Sequence, residues 1–169
     1  MTMKRIGIST IRLHILVCLL CLAAQIMMPV SAKAQNVSWL DQFKWNNRLV
    51  VVFAPDRSDP VYFEQIVELS RDKAGMKERD IEFISVFEDG QVLLGKDIVD
   101  PDVVRSSELR NAFSVFSGFQ VFLIGKDGSI KRRSSKPVTS QSLFSVIDAM
   151  PMRRYEIKKE ERRKMEAEW

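Results

Sequence analysis

The chain has 169 residues, of which 46% are hydrophobic and 28% charged, and its 26 basic and 22 acidic side chains give a formal net charge of +4. Both cysteines, Cys18 and Cys21, and the single histidine, His14, stand in the first 34 residues. If that segment is a removed leader, the remainder has neither thiol nor imidazole. That excludes thiol–disulfide exchange, Cys–His and Ser–His nucleophilic catalysis and the common zinc sites.

The first segment has the order of a secretory signal peptide. Lys4, Arg5 and Arg12 form a positive region, Ile15 to Ala24 is apolar, and Ala32-Lys33-Ala34 offers small residues at a cleavage site, so cleavage is expected after Ala34. An uncleaved anchor is the alternative, but the apolar run breaks at Gln25, short of the ~20 residues a spanning helix needs. A lipoprotein is disfavoured by Cys18-Leu19-Leu20 before Cys21. With Lys4, Arg5, Arg12 and Lys33 removed, the basic residues fall to equality with the 22 acidic ones. A general nucleic-acid-binding role then loses its electrostatic support. The domains expected are a leader over 1–34, a globular domain over 35–155 and a charged tail over 156–169.

Ser38 with Asp41 predicts a capping box for a short helix carrying Trp39, Leu40 and Phe43. Leu49 to Ala54 is an unbroken, β-branched-rich run and predicts a strand covered on both faces. Asp59 as N-cap, Pro60 in the first turn and Gly75 at the left-handed end position bound the next helix. Its apolar face is expected at Phe63, Ile66, Val67 and Ala74, and its polar face at Glu64, Gln65, Glu68, Arg71 and Asp72.

Ile81 to Phe87 predicts a second strand closed by Asp89-Gly90, while residues 91–105 show no regular pattern. Ser106 or Ser107 can cap a short helix through Leu109, Ala112 and Phe113. Phe119 to Ile124, the turn Gly125-Lys126-Asp127-Gly128 and Ser129 to Arg133 predict a hairpin. A last core helix from Ser140 places Leu143, Ile147 and Met150 on one face and stops at Pro151.

From Arg153 onward seven basic residues stand against five acidic ones. Ile157, Met165 and Trp169 make no continuous stripe, so a frayed or disordered polar tail is expected in preference to a solvated helix with pairs such as Glu160–Lys164. Contact of this tail with an anionic membrane is weakly indicated. The order helix, strand, helix, strand, helix, strand, strand, helix predicts a three-layer α/β sandwich of thioredoxin type. Its central mixed sheet has about four strands, flanked by helices and lacking redox cysteines.

Three segments resemble a known family: Phe43-Lys44-Trp45 through Arg48 into the Leu49 to Pro55 strand, Leu123 to Gly128, and Ile147-Asp148-Ala149-Met150-Pro151-Met152-Arg153-Arg154. Together they resemble the peroxiredoxin-like domain of unknown function called P-DUDES. That domain is found in exported bacterial proteins and in animal sushi-repeat and coiled-coil extracellular-matrix proteins. The resemblance spans residues 37–156 and implies a thioredoxin-like fold, but no established activity. Active thioredoxins and peroxiredoxins carry their thiol just after the first central strand, at a helix N-terminus that lowers its pKa. Here that stretch is Pro55-Asp56-Arg57-Ser58-Asp59-Pro60, without sulfur, and Ser117-Gly118-Phe119 lacks the proline those enzymes place before a later strand.

Asp56, Arg57 and Ser58 are candidate ligand-binding residues, because a strand-to-helix loop is the usual functional position of open α/β sheets and helix N–H groups favour anions. Capping and turn formation account for Asp and Ser there equally well. Lys126 and Asp127 form a second candidate, although Asp-Gly turn chemistry suffices for them. Arg79-Asp80 is expected to form structural ion pairs away from the first cluster. Asp148, Met150, Pro151, Met152, Arg153 and Arg154 carry the family signature, with Met152 expected to fasten the tail to the core. Glu88, Asp89, Asp97, Asp100 and Asp102 lack the ordered pattern of a calcium loop, so no metal and no cofactor is expected. The expected function is an exported, redox-inactive binding or adaptor module for an envelope or extracellular protein or a small anionic ligand. The alternative is a non-thiol enzyme using Asp, Arg and Lys on an anionic substrate.

Overall fold

The computed structural model describes residues 37–167; the leader and its cleavage site lie outside the described residues. The elements are α1 (Ser38–Asp41), β1 (Arg48–Ala54), α2 (Pro60–Ser70), α3 (Lys73–Glu78), β2 (Ile81–Phe87), β3 (Val92–Leu94), β4 (Asp97–Ile98), α4 (Ser106–Phe113), β5 (Gln120–Ile124), β6 (Ile130–Ser134), α5 (Ser140–Asp148) and α6 (Pro151–Ala167). One six-stranded sheet has the order β4-β3-β2-β1-β5-β6. β1 and β2 are parallel, with Arg48 opposite Ile81 and Ala54 opposite Phe87. β5 runs antiparallel to β1, and β6 antiparallel to β5. A parallel βαβ unit joined edge to edge with an antiparallel hairpin, followed by a helix, is the thioredoxin-like arrangement. The sheet has six strands instead of about four because the pattern-free stretch after Gly90 adds β3 and β4. Three and two residues are too few to show a period of two.

All seven residues of β1 are buried, as an apolar run in a central strand requires. Alternation splits them between two cores. Leu49, Val51 and Phe53 join Ile84, Val86 and Phe122 beneath α4, while Val50, Val52 and Ala54 join Val121 and Leu123 beneath α2 and α5.

Several local expectations are corrected. No side chain caps α1, whose N-cap is Val37; Asp41 instead pairs with Lys44. Ser106 does not cap α4, since Arg105 occupies that position and the Ser106 hydroxyl turns inward to donate to the Phe87 carbonyl. α2 begins at Asp59-Pro60 as expected but stops at Ser70. Asp72 starts a separate helix by accepting from the Gly75 N–H (2.7 Å), which places Gly75 within α3. The buried residues of α2 are Tyr62, Gln65 and Leu69, and Phe63 is left 66% exposed. The displacement turns on Gln65, fully buried because its amide both donates to the Val138 carbonyl (2.9 Å) and accepts from the Val138 N–H (2.8 Å). A polar side chain can enter a core when both ends are satisfied. The tail is helical: α6 continues to Ala167, and Met152, 38% exposed, does not fasten it.

Asp59 accepts from the Tyr62 N–H at 2.8 Å. Asp59→Ala is expected to lower the unfolding free energy by about 1 kcal/mol, as lost caps generally do. Urea denaturation measures it, and an unchanged midpoint would contradict the cap.

Candidate functional site

Asp56, Arg57 and Ser58 leave the C-terminal end of β1 and lead into α2. Asp56 Oδ1 accepts from both the backbone N–H (2.7 Å) and the hydroxyl of Ser58, closing a turn. The Ser58 hydroxyl bond, with its N–H, holds the exposed Asp56 carboxyl below the ordinary carboxylate range. Asp56 and Ser58 therefore shape the loop. Arg57 lies with its guanidinium carbon 5.9 Å from the Phe87 ring centroid and has no ion pair among the described residues.

Lys126 and Asp127 stand at the other end of the sheet, because β5 is antiparallel to β1 and Ile124 faces Leu49. They do not converge with Asp56. Asp127 holds Ser129 and Lys131; burial pushes its carboxyl up, but the Lys131 and Ser129 hydrogen bonds outweigh that and leave it below its ordinary value. Lys126 bridges Asp80 (2.7 Å) and Glu156 (2.9 Å).

Those two carboxylates belong to a larger network at the same end. Arg48, 1% exposed, donates to both oxygens of Glu156 (3.2 and 3.1 Å) and to the Arg79 carbonyl (2.9 Å). Arg79 forms a two-pronged bridge to Asp148 (2.9 and 2.7 Å) and stacks 4.3 Å from the Phe144 centroid. Arg153, 3% exposed, reaches Glu78 and Asp148. Within the family signature, Asp148 and Arg153 thus lock α3, α5 and α6 together, Met150 packs on the core, and Arg154 is exposed. Sequence reasoning had Arg79 and Asp80 as structural pairs but missed Arg48 and Glu156, whose only signal was a charge opening an apolar strand.

The Arg79 hydrogen bond holds the Asp148 carboxyl below its ordinary value. A carboxylate depressed in the folded state adds stability that is complete above its unfolded value, near ~3.9, and is lost as pH falls through the folded value. Unfolding free energy is expected to drop below about pH 4. Asp148→Asn should flatten that acid limb; an identical pH profile in the variant would refute the assignment.

A cavity of about 760 Å³ opens between α2–α3 and the β2–β3 side of the sheet. Ile66, Leu69, Met76, Phe83 and Leu93 line it with apolar surface, and Arg57, Lys73, Lys77 and Lys96 are its cations. No local sequence pattern marks it, because its walls come from four separate elements and the loops between them. Among the described residues, no cluster of three or more His, Cys, Asp or Glu side chains could hold a metal ion, and no helix is long and apolar enough to cross a membrane.

The sequence model of a domain of unknown function, DUF4174, matches residues 39–156. The chain belongs to this family. The DUF4174 match ends at Glu156, the partner of Arg48, and so takes in the ionic network while leaving out most of α6. Coiled-coil domain-containing protein 80 of Danio rerio is 26% identical over 137 residues, covering 71% of this chain and 16% of that protein. Sushi repeat-containing protein SRPX of Homo sapiens is 30% identical over 121 residues, covering 70% and 26%. The chain thus spans about a quarter or less of the length of these curated relatives. Among solved structures, the mitochondrial 2-Cys peroxiredoxin of Plasmodium falciparum superposes with a TM-score of 0.47 at 13% identity, covering 65% of this chain and 79% of that one.

Proposed function

We propose that this DUF4174 chain is exported and works, after loss of its leader, as a thiol-independent binding or adaptor module in the cell envelope or outside the cell. The observation that carries the reading is the composition of the β1–α2 loop. The position of a thioredoxin-like thiol is taken by Asp56-Arg57-Ser58, and residues 35–169 contain neither cysteine nor histidine. Export is supported by the leader pattern. The adaptor role is supported by relatives in which this domain is a small part of a long chain. Arg57, without an ion pair among the described residues, is the proposed contact for an anionic group of the partner. The enzyme alternative has less support, because Asp56 is engaged by Ser58, and Lys126 lies at the far end of the sheet.

The test is crosslinking of the tagged protein in its native exported fraction, followed by mass spectrometry against an Asp56→Ala/Arg57→Ala variant. A specific partner recovered with the parent and lost from the variant is the expected result. Peroxidase turnover by the leader-free protein would overturn the reading, as would specific recovery unaffected by the double substitution overturn the placement at Arg57.

A further inference from the structure

We infer that the groove between α2–α3 and β2–β3 binds a long-chain fatty acid, with the carboxylate held at the α3 end and the acyl chain laid against Ile66, Leu69, Phe83 and Leu93. This deepens the binding-module reading and rests on it. The first support is shape and lining. Pockets that take small molecules are generally ~300–1,000 Å³ with apolar walls and few polar groups, and this one has about 760 Å³ above Ile66, Leu69, Met76, Phe83 and Leu93. Its floor is formed by Ile81 and Phe83 at the start of β2 and by Leu93 of β3.

The second support is the placement of charge. Lys73 and Lys77, four residues apart, share one side of α3, which ends just before Ile81. Lys96 follows Gly95, whose N–H donates to the Phe83 carbonyl at 2.7 Å, so the β3–β4 turn lies beside the same early part of β2. All three lysines line the groove, and none forms an ion pair among the described residues. Of the two acids there, Asp80 is taken by Lys126, leaving Glu82 as the only counter-charge. Three unpaired lysines gathered near one carboxylate in an apolar trough, with Arg57 as the groove's fourth cation, complement a single-chain anionic amphiphile.

The experiment titrates protein expressed from the full-length sequence with palmitate labelled with ¹³C at the carboxyl, following its NMR shift, and competes it with uncharged hexadecanol. Saturable palmitate binding is expected, with hexadecanol about tenfold weaker. Lys73→Glu/Lys77→Glu should weaken palmitate about tenfold and spare hexadecanol, whereas Met76→Trp, filling the trough, should weaken both. Thermal unfolding of each variant verifies that it is folded. Absence of saturable binding, equal affinity for acid and alcohol, or indifference to charge reversal would each overturn the assignment. An acidic amphipathic peptide seated there in place of palmitate would do the same. If exported partners are still captured through Arg57 in that event, the fatty acid fails and the binding-module reading stands; peroxidase turnover would remove that reading whatever palmitate does.

Discussion

Glu156→Ala is expected to destabilise the domain by about 3 kcal/mol, the lower end of what breaking a buried ion pair costs. The reason lies with its partner. Arg48 opens the central strand, is essentially inaccessible to water, and has Glu156 as its carboxylate. Among the described residues its Nε has no hydrogen-bond partner, and besides Glu156 its guanidinium meets only the Arg79 carbonyl. Glu156 retains a quarter of its side-chain exposure, which keeps the effect from the upper end of the range. Against a total stability of ~5–15 kcal/mol the loss is large. Arg48→Ala should also destabilise, and the double variant should cost less than the two single ones together, because the two side chains act as one unit. Chain length gives an independent check. Ending the chain at Tyr155 should reproduce the loss, while ending it at Glu161 should change stability by no more than about 0.5 kcal/mol, since among the described residues the removed ones contribute only the surface pair Glu160–Lys164. Guanidinium unfolding of the parent and these five variants decides it. A Glu156→Ala midpoint equal to the parent's would show that the network does not bind α6 to the sheet.

That experiment also bears on why the tail was misread. Residues 156–169 carry no apolar stripe, and periodicity has nothing to report when a helix is fastened by charges in its first two turns. Arg48, Arg79, Asp148, Arg153 and Glu156 come from four elements and assemble only in three dimensions. Legible features were those with local causes: β1 from its unbroken β-branched run, the start of α2 from Asp59-Pro60, and the hairpin from Asp127-Gly128, where Gly128 adopts a left-handed φ of +76°. The thioredoxin-like order of these elements followed from them and from the family resemblance. The face of α2 was misassigned because Gln65 gains its place from Val138, 73 residues away. The loop candidates Asp56, Arg57 and Ser58 were found by position along the chain. The groove beside Arg57 was not, since its walls are set by how α2 and α3 lie over β2 and β3.

Arg110→Met should destabilise by about 2–3 kcal/mol, through carbonyls left without donors and not through a lost ion pair. Arg110 projects from α4, is 7% exposed, and donates through Nη2 to the carbonyls of Ala54 (2.7 Å) and Val86 (3.3 Å). Its other terminal nitrogen reaches the Val115 carbonyl at 3.4 Å, and its guanidinium carbon lies 5.7 Å from the Phe53 centroid. These contacts gather the C-terminal ends of β1 and β2 and the chain after α4 at the root of the loop carrying Asp56 to Ser58. Burial pushes the guanidinium below its ordinary pKa, yet an arginine stays a cation at neutral pH. Its nearest carboxylate, Glu88, is 3.8 Å away and 38% exposed, and Glu88 also accepts from the Gly118 N–H. Because that pair is long and wet, Glu88→Gln should cost less than about 1 kcal/mol. Methionine keeps the apolar stem but supplies no donor, so the Ala54 and Val86 carbonyls are left wanting partners. Arg110→Lys, able to reach fewer of them, should fall between Met and the parent. Hydrogen exchange adds a local readout: amides of residues 56–59 and 87–88 should lose protection in Arg110→Met more than those of β6. A cost for Glu88→Gln equal to that for Arg110→Met would mean that the ion pair, not the carbonyl clamp, holds this end of the sheet.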